Sequence, residues 1–129
     1  MKRRLIFTIA ISLLMVTVRA QLANTKWTGI ASLLQDDKSI VKAKITMFFG
    51  KDSVNVFFEA GGTPEVLTYK ATDDVITLVK VSGGSPCQIG TSVKQKYQIK
   101  GNTLHISIGQ STCEAYVNAM VGSSFEKLD

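Results

Sequence analysis

Apolar and polar residues alternate along most of this chain with a period of two. In residues 92–100, Val93, Gln95, Tyr97 and Ile99 share one face, and lysines and a glutamine lie between them. Such alternation is typical of a β-strand with one buried face. Further strand-like runs lie at 26–34, 40–49, 53–59, 65–71, 75–81, 103–108 and 123–128. The pattern therefore predicts about eight strands, joined mostly by short turns.

The pattern changes at residue 111, where helical spacing replaces alternation. Ser111 and Glu114 fit a capping box, which marks the start of a helix. One apolar helical stripe follows, formed by Cys113, Tyr116, Val117 and Met120. Short sequential connections favour a meander, and an eight-stranded meander closes readily. We therefore predict an all-β fold: an eight-stranded antiparallel meander barrel with one short helix before the last strand.

Residues 1–20 have the features of a secretory signal peptide. Met1–Arg4 is positively charged, a largely apolar run follows, and Val18-Arg19-Ala20 presents small residues at a cleavage position before Gln21. The alternative, a membrane anchor, is disfavoured because the apolar run is too short to span comfortably. We predict one exported domain at residues 21–129, periplasmic or secreted, with no integral membrane segment after cleavage.

Cleavage would also change the charge balance. The whole chain carries 15 basic and 10 acidic residues, a net charge of +5. Four of the basic residues and none of the acidic ones lie in residues 1–20, so 15 less 4 leaves 11 basic against 10 acidic residues. A net charge near +1 does not indicate nucleic-acid binding.

The chain has two cysteines, Cys87 and Cys113. In an exported chain such an even pair predicts a disulfide. The two cysteines are 26 positions apart, and the chain-entropy model gives about 3.5 kcal/mol of stabilisation for closing the loop between them. A two-cysteine metal site and a redox pair are weaker alternatives, because the chain has no Cys-x-x-Cys.

The stretch Asn24-Thr25-Lys26-Trp27-Thr28-Gly29 resembles the first strand of the lipocalin-like (calycin) barrels, in which an early Trp lies at the closed end. Further segments similar to short exported bacterial lipocalin-like domains are 67–70, 74–78, 85–87, 97–104 and Cys113. Lipocalins usually carry Gly where this chain has Thr25. Lys127 is the best candidate for the basic residue that often stacks on the Trp. The resemblance implies the barrel and not a particular ligand.

The sequence carries no pattern typical of an enzyme or a metal site. His105 is the only histidine, and the alternation predicts that it faces outward. Asp36-Asp37 and Asp73-Asp74 lie in turns, where aspartate commonly bonds the local backbone. No Gly-x-Ser-x-Gly, phosphate-binding loop or His-Glu pair is present. We therefore expect no catalysis, no metal and no cofactor.

The functional hypothesis rests on large or polar side chains that the alternation turns inward. An apolar pocket with a few oriented polar groups is what a small-ligand site requires. The candidate ligand-binding residues of the barrel interior are Trp27, Met47, Phe49, Phe58, Tyr69, Gln95 and Tyr97. Tyr69, Gln95 and Tyr97 would supply the hydrogen bonds. We hypothesise non-covalent binding of a small apolar or amphipathic molecule.

The same residues also fit a barrel that holds no ligand. An eight-stranded barrel is just wide enough either to be filled by its own side chains or to hold one small molecule. From the sequence alone a filled interior carries more weight. The alternative function is then a protein-binding module, such as an inhibitor of an exported enzyme. Its binding edge would be the loops at 60–64 and 82–90.

Overall fold

Eight antiparallel strands close into one barrel in the computed structural model, which describes residues 21–129 apart from the side chain of residue 108. The strands are β1 (Thr25–Leu34), β2 (Ile40–Phe49), β3 (Ser53–Phe58), β4 (Glu65–Ala71), β5 (Val75–Ser82), β6 (Ser92–Lys100), β7 (Thr103–Ser111) and β8 (Ser124–Leu128). Each strand pairs with the next one along the chain, and β8 pairs with β1. The predicted all-β meander barrel is confirmed. The signal peptide predicted over 1–20 lies outside the described residues.

The inner face of the barrel follows the period of two seen in the sequence. On β6, Val93, Gln95 and Tyr97 are buried, and the residues between them are exposed. On β2 the buried alternation begins only at Ile45, because the first residues of that strand are solvent-exposed, Val41 included. Hydrophobic burial on β2 is thus confined to the second half of the strand.

Two phenylalanines, Phe48 and Phe57, lie on the outer face of the sheet. Their rings pack edge to face with centroids 5.2 Å apart, a geometry that aromatic pairs favour. The ammonium of Lys26 lies 4.9 Å from the centroid of the Phe48 ring. The β2–β3 register is continuous through both residues, so their outward position reflects surface packing and not a bulge.

Trp27 is buried near the start of β1, at the end of the barrel where short turns connect the strands. Its indole Nε1 donates a hydrogen bond to Thr25 Oγ1 at 2.8 Å. The Thr25 hydroxyl in turn donates to the carbonyl of Leu22, whose side chain is also buried. Thr25 therefore supplies a polar partner for the indole. Lys127 lies opposite Trp27 in the β1–β8 ladder but is exposed.

The helix α1 (Glu114–Ala119) lies against the other end of the barrel, beside β1 and β7. The predicted capping box is wrong. Ser111 is the last residue of β7, paired with Val93, and Cys113 is the helix N-cap without a side-chain capping bond. Ser111 is part of the β6–β7 ladder, and the Ser111 hydroxyl donates a hydrogen bond to the carbonyl of Ser92 at 2.6 Å.

The predicted disulfide is confirmed. Cys87 and Cys113 are joined, with their Cα atoms 5.7 Å apart. The bond fastens the start of α1 to the loop between β5 and β6. Residues 21–129 contain no helix with the length and apolar character needed to cross a membrane.

Closure of the barrel depends on a close contact between Gly29 of β1 and Phe125 of β8. These residues are opposite each other in the ladder, and Phe125 has no solvent exposure. A β-carbon on Gly29 would lie 2.5 Å from Cδ1 of Phe125 and 2.8 Å from the carbonyl oxygen of Ser124. A side chain at this position would therefore displace both the ring and the closing strand.

We predict that Gly29→Ala lowers the free energy of unfolding by about 1–3 kcal/mol, the usual cost of overpacking a core. A decrease in the free energy of unfolding would be informative, because replacing a glycine inside a strand otherwise tends to stabilise the strand. Gly50→Ala is the matched control, since its nearest non-neighbouring atom would lie 3.5 Å away. Urea unfolding followed by Trp27 fluorescence measures both. Equal effects of the two substitutions would contradict the packing account.

Candidate functional site

The barrel encloses a cavity of about 390 Å³. Its volume lies within the roughly 300–1,000 Å³ range of small-molecule sites. Inward side chains of β1 to β7 form the walls, and Leu22, ahead of β1, contributes from the Trp27 side. Most of these side chains are aliphatic or aromatic. The barrel is therefore not completely filled by its own side chains.

The mouth of the cavity lies at the end of the barrel where α1 packs. Gln35 and Asp36 reach it from the β1–β2 turn, and Tyr116 reaches it from the helix. The two loops singled out from the sequence also contribute, through Gly62 and Thr63 in one and residues 84–86 in the other. The predicted binding loops thus form part of the rim of the cavity.

Five of the seven predicted interior residues line this cavity: Met47, Phe49, Phe58, Gln95 and Tyr97. Trp27 and Tyr69 are buried but lie outside the lining. The ring of Tyr69 packs edge-on against Phe49, with centroids 5.1 Å apart. Tyr69 therefore packs against a residue of the cavity wall without lining the cavity itself.

The hydroxyl protons of Tyr69 and Tyr97 are used at the end of the barrel where Trp27 lies. Tyr69 donates to the carbonyl of Gly50 at 2.7 Å, and Tyr97 donates to the carbonyl of Thr72 at 2.5 Å. Burial raises the pKa of both phenols, with a further contribution from Asp52 beside Tyr69 and, for Tyr97, chiefly from Asp73. Both phenols therefore stay neutral at ordinary pH and keep two turns closed.

Gln95 differs from the two tyrosines. Its side chain is 1% exposed, and neither Oε1 nor Nε2 has a hydrogen-bond partner among residues 21–129. In the ladder it lies between Ile76 and Gly109, neither of which has a polar side chain. Buried polar groups are nearly always paired in folded proteins, because an unmade hydrogen bond is costly. Gln95 is thus a buried polar group of the cavity wall that has no partner among the described residues.

A buried ion pair lies beside the mouth. Lys80 Nζ is 3.5 Å from Glu65 Oε2, and their side chains are 3% and 5% exposed. The ammonium also donates to Ser85 Oγ at 3.0 Å and to the carbonyls of Ser85 and Cys87 at 3.1 and 2.7 Å. The charge of Lys80 is therefore fully surrounded by acceptors.

The carboxylate of Glu65 joins the remaining elements of the mouth. Tyr116 of α1 donates to its Oε2 at 2.7 Å, and the Ser85 hydroxyl donates to the same oxygen. Burial, followed by this bond to Glu65, raises the pKa of Tyr116, so the phenol remains a donor. Gly83 has a φ of +138°, and a β-carbon there would lie 1.8 Å from Glu65 Oε1. Glycine is thus required for the loop to close over the carboxylate.

This ion pair was not anticipated from the sequence, although the alternation contains the signal for it. Glu65 shares its face with Leu67 and Tyr69, and Lys80 shares its face with Ile76 and Leu78. Charged residues at strand ends are usually assigned to solvent. A β-bulge between Val66 and Leu67 shifts the β4–β5 register, an irregularity that the pattern does not reveal.

His105 lies on the outer surface, as predicted, with Nδ1 3.0 Å from Ser124 Oγ. Within residues 21–129 no three side chains from the set His, Cys, Asp and Glu come together as a metal-binding group would require.

Comparison of the chain with protein-family models, with curated proteins and with solved structures found no match. The likeness to lipocalin-like barrels therefore stays a prediction, based on the residues quoted above.

We predict that Lys80→Met lowers the free energy of unfolding by about 3–5 kcal/mol, because it leaves the buried Glu65 carboxylate without its cation. The matched control is Lys38→Met. Lys38 lies 3.9 Å from Glu114 in a pair whose side chains are 78% and 66% exposed, and such pairs contribute little. Urea unfolding compares the two variants with the parent protein. Similar midpoints for both variants would show that the buried pair has no special role.

Proposed function

We propose that this protein is an exported lipocalin-like barrel that binds a small apolar or amphipathic molecule non-covalently. The observation that carries the proposal is the cavity of about 390 Å³ inside the closed barrel, with mainly apolar walls. Transfer of apolar ligand surface from water to such walls is favourable by about 25 cal/mol per Å². A ligand that fills the cavity would need no covalent bond or metal to be retained.

The polar groups of the site support binding without catalysis. His105, the only histidine of the chain, lies outside the barrel. The Glu65 carboxylate lines the cavity, but its oxygens already accept hydrogen bonds from Ser85 and Tyr116. Glu65, Ser85 and Tyr116 therefore hold the mouth of the cavity together and do not form a reactive pair for a substrate.

The disulfide between Cys87 and Cys113 indicates an oxidising compartment. Together with the predicted signal peptide, the disulfide supports the proposal that the protein acts in the periplasm or outside the cell. There a binding barrel would meet its ligand in water and shield it from solvent.

In the alternative function, a protein-binding module, the loops at 60–64 and 82–90 would contact the partner. These loops line the mouth of an interior that such a module does not need. We therefore propose that they contact the ligand or control its access, and that a protein partner is the second candidate. Ile89, 73% exposed in the second loop, is the apolar residue they present to a partner.

We predict that the neutral fluorescent probe N-phenyl-1-naphthylamine binds the barrel and that Val56→Phe weakens this binding about tenfold or more. Val56 lines the cavity, and a phenyl ring there takes space from the probe. A tenfold loss corresponds to roughly 55 Å² of apolar contact at about 25 cal/mol per Å². Fluorescence titration gives the Kd of each variant.

The matched control for this titration is Val81→Phe, the same substitution at a position that is 47% exposed. It should leave the Kd unchanged. Absence of probe binding to the parent protein, or equal Kd values for all three proteins, would contradict the proposed function.

A further inference from the structure

We infer that the ligand carries an uncharged group with a hydrogen-bond donor beside an acceptor, as in a primary amide or a lactam, and that Gln95 recognises this group. The inference rests on the proposed function and specifies its ligand class. It starts from one observation: Gln95 is buried in the cavity wall, and both of its polar atoms lack partners among the described residues.

The side chains described for the barrel wall offer no hydrogen-bond partner for Gln95. Its ladder neighbours Ile76 and Gly109 have no polar side chains, and the inward neighbours on β6 are Val93 and Tyr97. The Tyr97 hydroxyl donates its proton to the carbonyl of Thr72. A buried amide that the fold leaves unpaired is explained when a ligand completes its bonds.

The geometry of a glutamine amide defines the complementary group. Oε1 accepts and Nε2 donates, side by side in one plane. A primary amide or a lactam presents N–H and C=O on the same edge, so it can form two parallel hydrogen bonds with Gln95. An ester or ether offers acceptors only, and it would leave Oε1 unpaired.

The charges around the cavity disfavour an anionic ligand. The lining includes two acidic side chains, Asp36 and Glu65. Lys80 is not part of the lining, and its ammonium is held by Glu65, Ser85 and the carbonyl of Cys87. Among residues 21–129, a carboxylate in the cavity would therefore meet like charge and no free cation in the lining, at a high desolvation cost.

A cationic ligand is disfavoured deeper in the cavity for a different reason. Glu65 Oε2 already accepts hydrogen bonds from Ser85 and Tyr116 and lies 3.5 Å from Lys80 Nζ. An ammonium would have to compete with Lys80 for this carboxylate. The neutral amide of Gln95 is the buried polar group of the lining whose two polar atoms have no partner among residues 21–129.

The test uses four probes with the same ten-carbon chain: decanamide, methyl decanoate, decanoate and decylamine. Each displaces N-phenyl-1-naphthylamine from the parent protein and from Gln95→Leu. In the parent protein decanamide should bind most tightly. Gln95→Leu should weaken decanamide about ten- to thirtyfold, the effect of losing two hydrogen bonds. It should weaken methyl decanoate clearly less, because an ester can lose only the one bond that it accepts from Nε2.

Two controls keep the result interpretable. Gln98→Leu makes the same substitution on the outer face of β6, where Gln98 is exposed, and should change none of the affinities. The unliganded Gln95→Leu protein should unfold at the same temperature as the parent protein or a higher one, because an unpaired buried amide has been removed. Gln95→Met repeats the test with a side chain of similar length.

The outcomes separate this inference from the proposed function. Preference of the parent protein for decanoate or decylamine, or an amide preference that survives Gln95→Leu and Gln95→Met, would overturn the inference while the barrel remains a ligand binder. If neither the fluorescent probe nor any ten-carbon compound binds, the proposed function itself fails.

Discussion

The pairing of β8 with β1 is the constraint on which the rest of the structure depends. It turns a meander of short strands into a closed wall with no free sheet edge, and the wall defines an interior. The pairing brings Phe125, without solvent exposure, against the backbone of Gly29. The stretch that contains Trp27 is thus the seam of the barrel, and its glycine matters as much as its tryptophan.

The two ends of the barrel are built in different ways, and this difference places the cavity. At one end the Trp27 indole is bonded through Thr25 to the Leu22 carbonyl, and two tyrosine hydroxyls bond the carbonyls of turns between other strands. At the other end a helix, a disulfide and the buried Glu65–Lys80 pair hold longer loops around an opening. Polar interactions are concentrated at the ends, so the middle is left to apolar side chains and Gln95.

Much of the fold follows from alternation, since a closed barrel buries one face of every strand. The same rule placed Gln95 inside and His105 outside. The capping box failed because ladder pairing competes with local helix signals and takes Ser111 into β7. The hydrogen-bond partners of the Tyr69 and Tyr97 hydroxyls could not be predicted from the sequence either. Whether a tyrosine bonds a turn carbonyl or a ligand depends on three-dimensional distances that a one-dimensional pattern does not contain.

The candidate site could be predicted from the sequence only in part, because a barrel with a cavity and a barrel filled by side chains have the same alternation of apolar and polar residues. The volume depends on how far the inner side chains reach across the barrel, and on a helix that covers one end. Charged residues of the mouth were missed because a buried ion pair needs both partners in register, and a β-bulge sets that register.

Native mass spectrometry of the protein purified from the organism that makes it tests the central claim most directly. The account predicts a non-covalent complex with one small neutral molecule, released on denaturation and present in a smaller fraction of the Val56→Phe variant prepared in the same way. Protein that carries no small molecule, or that carries a protein partner in its place, would contradict it.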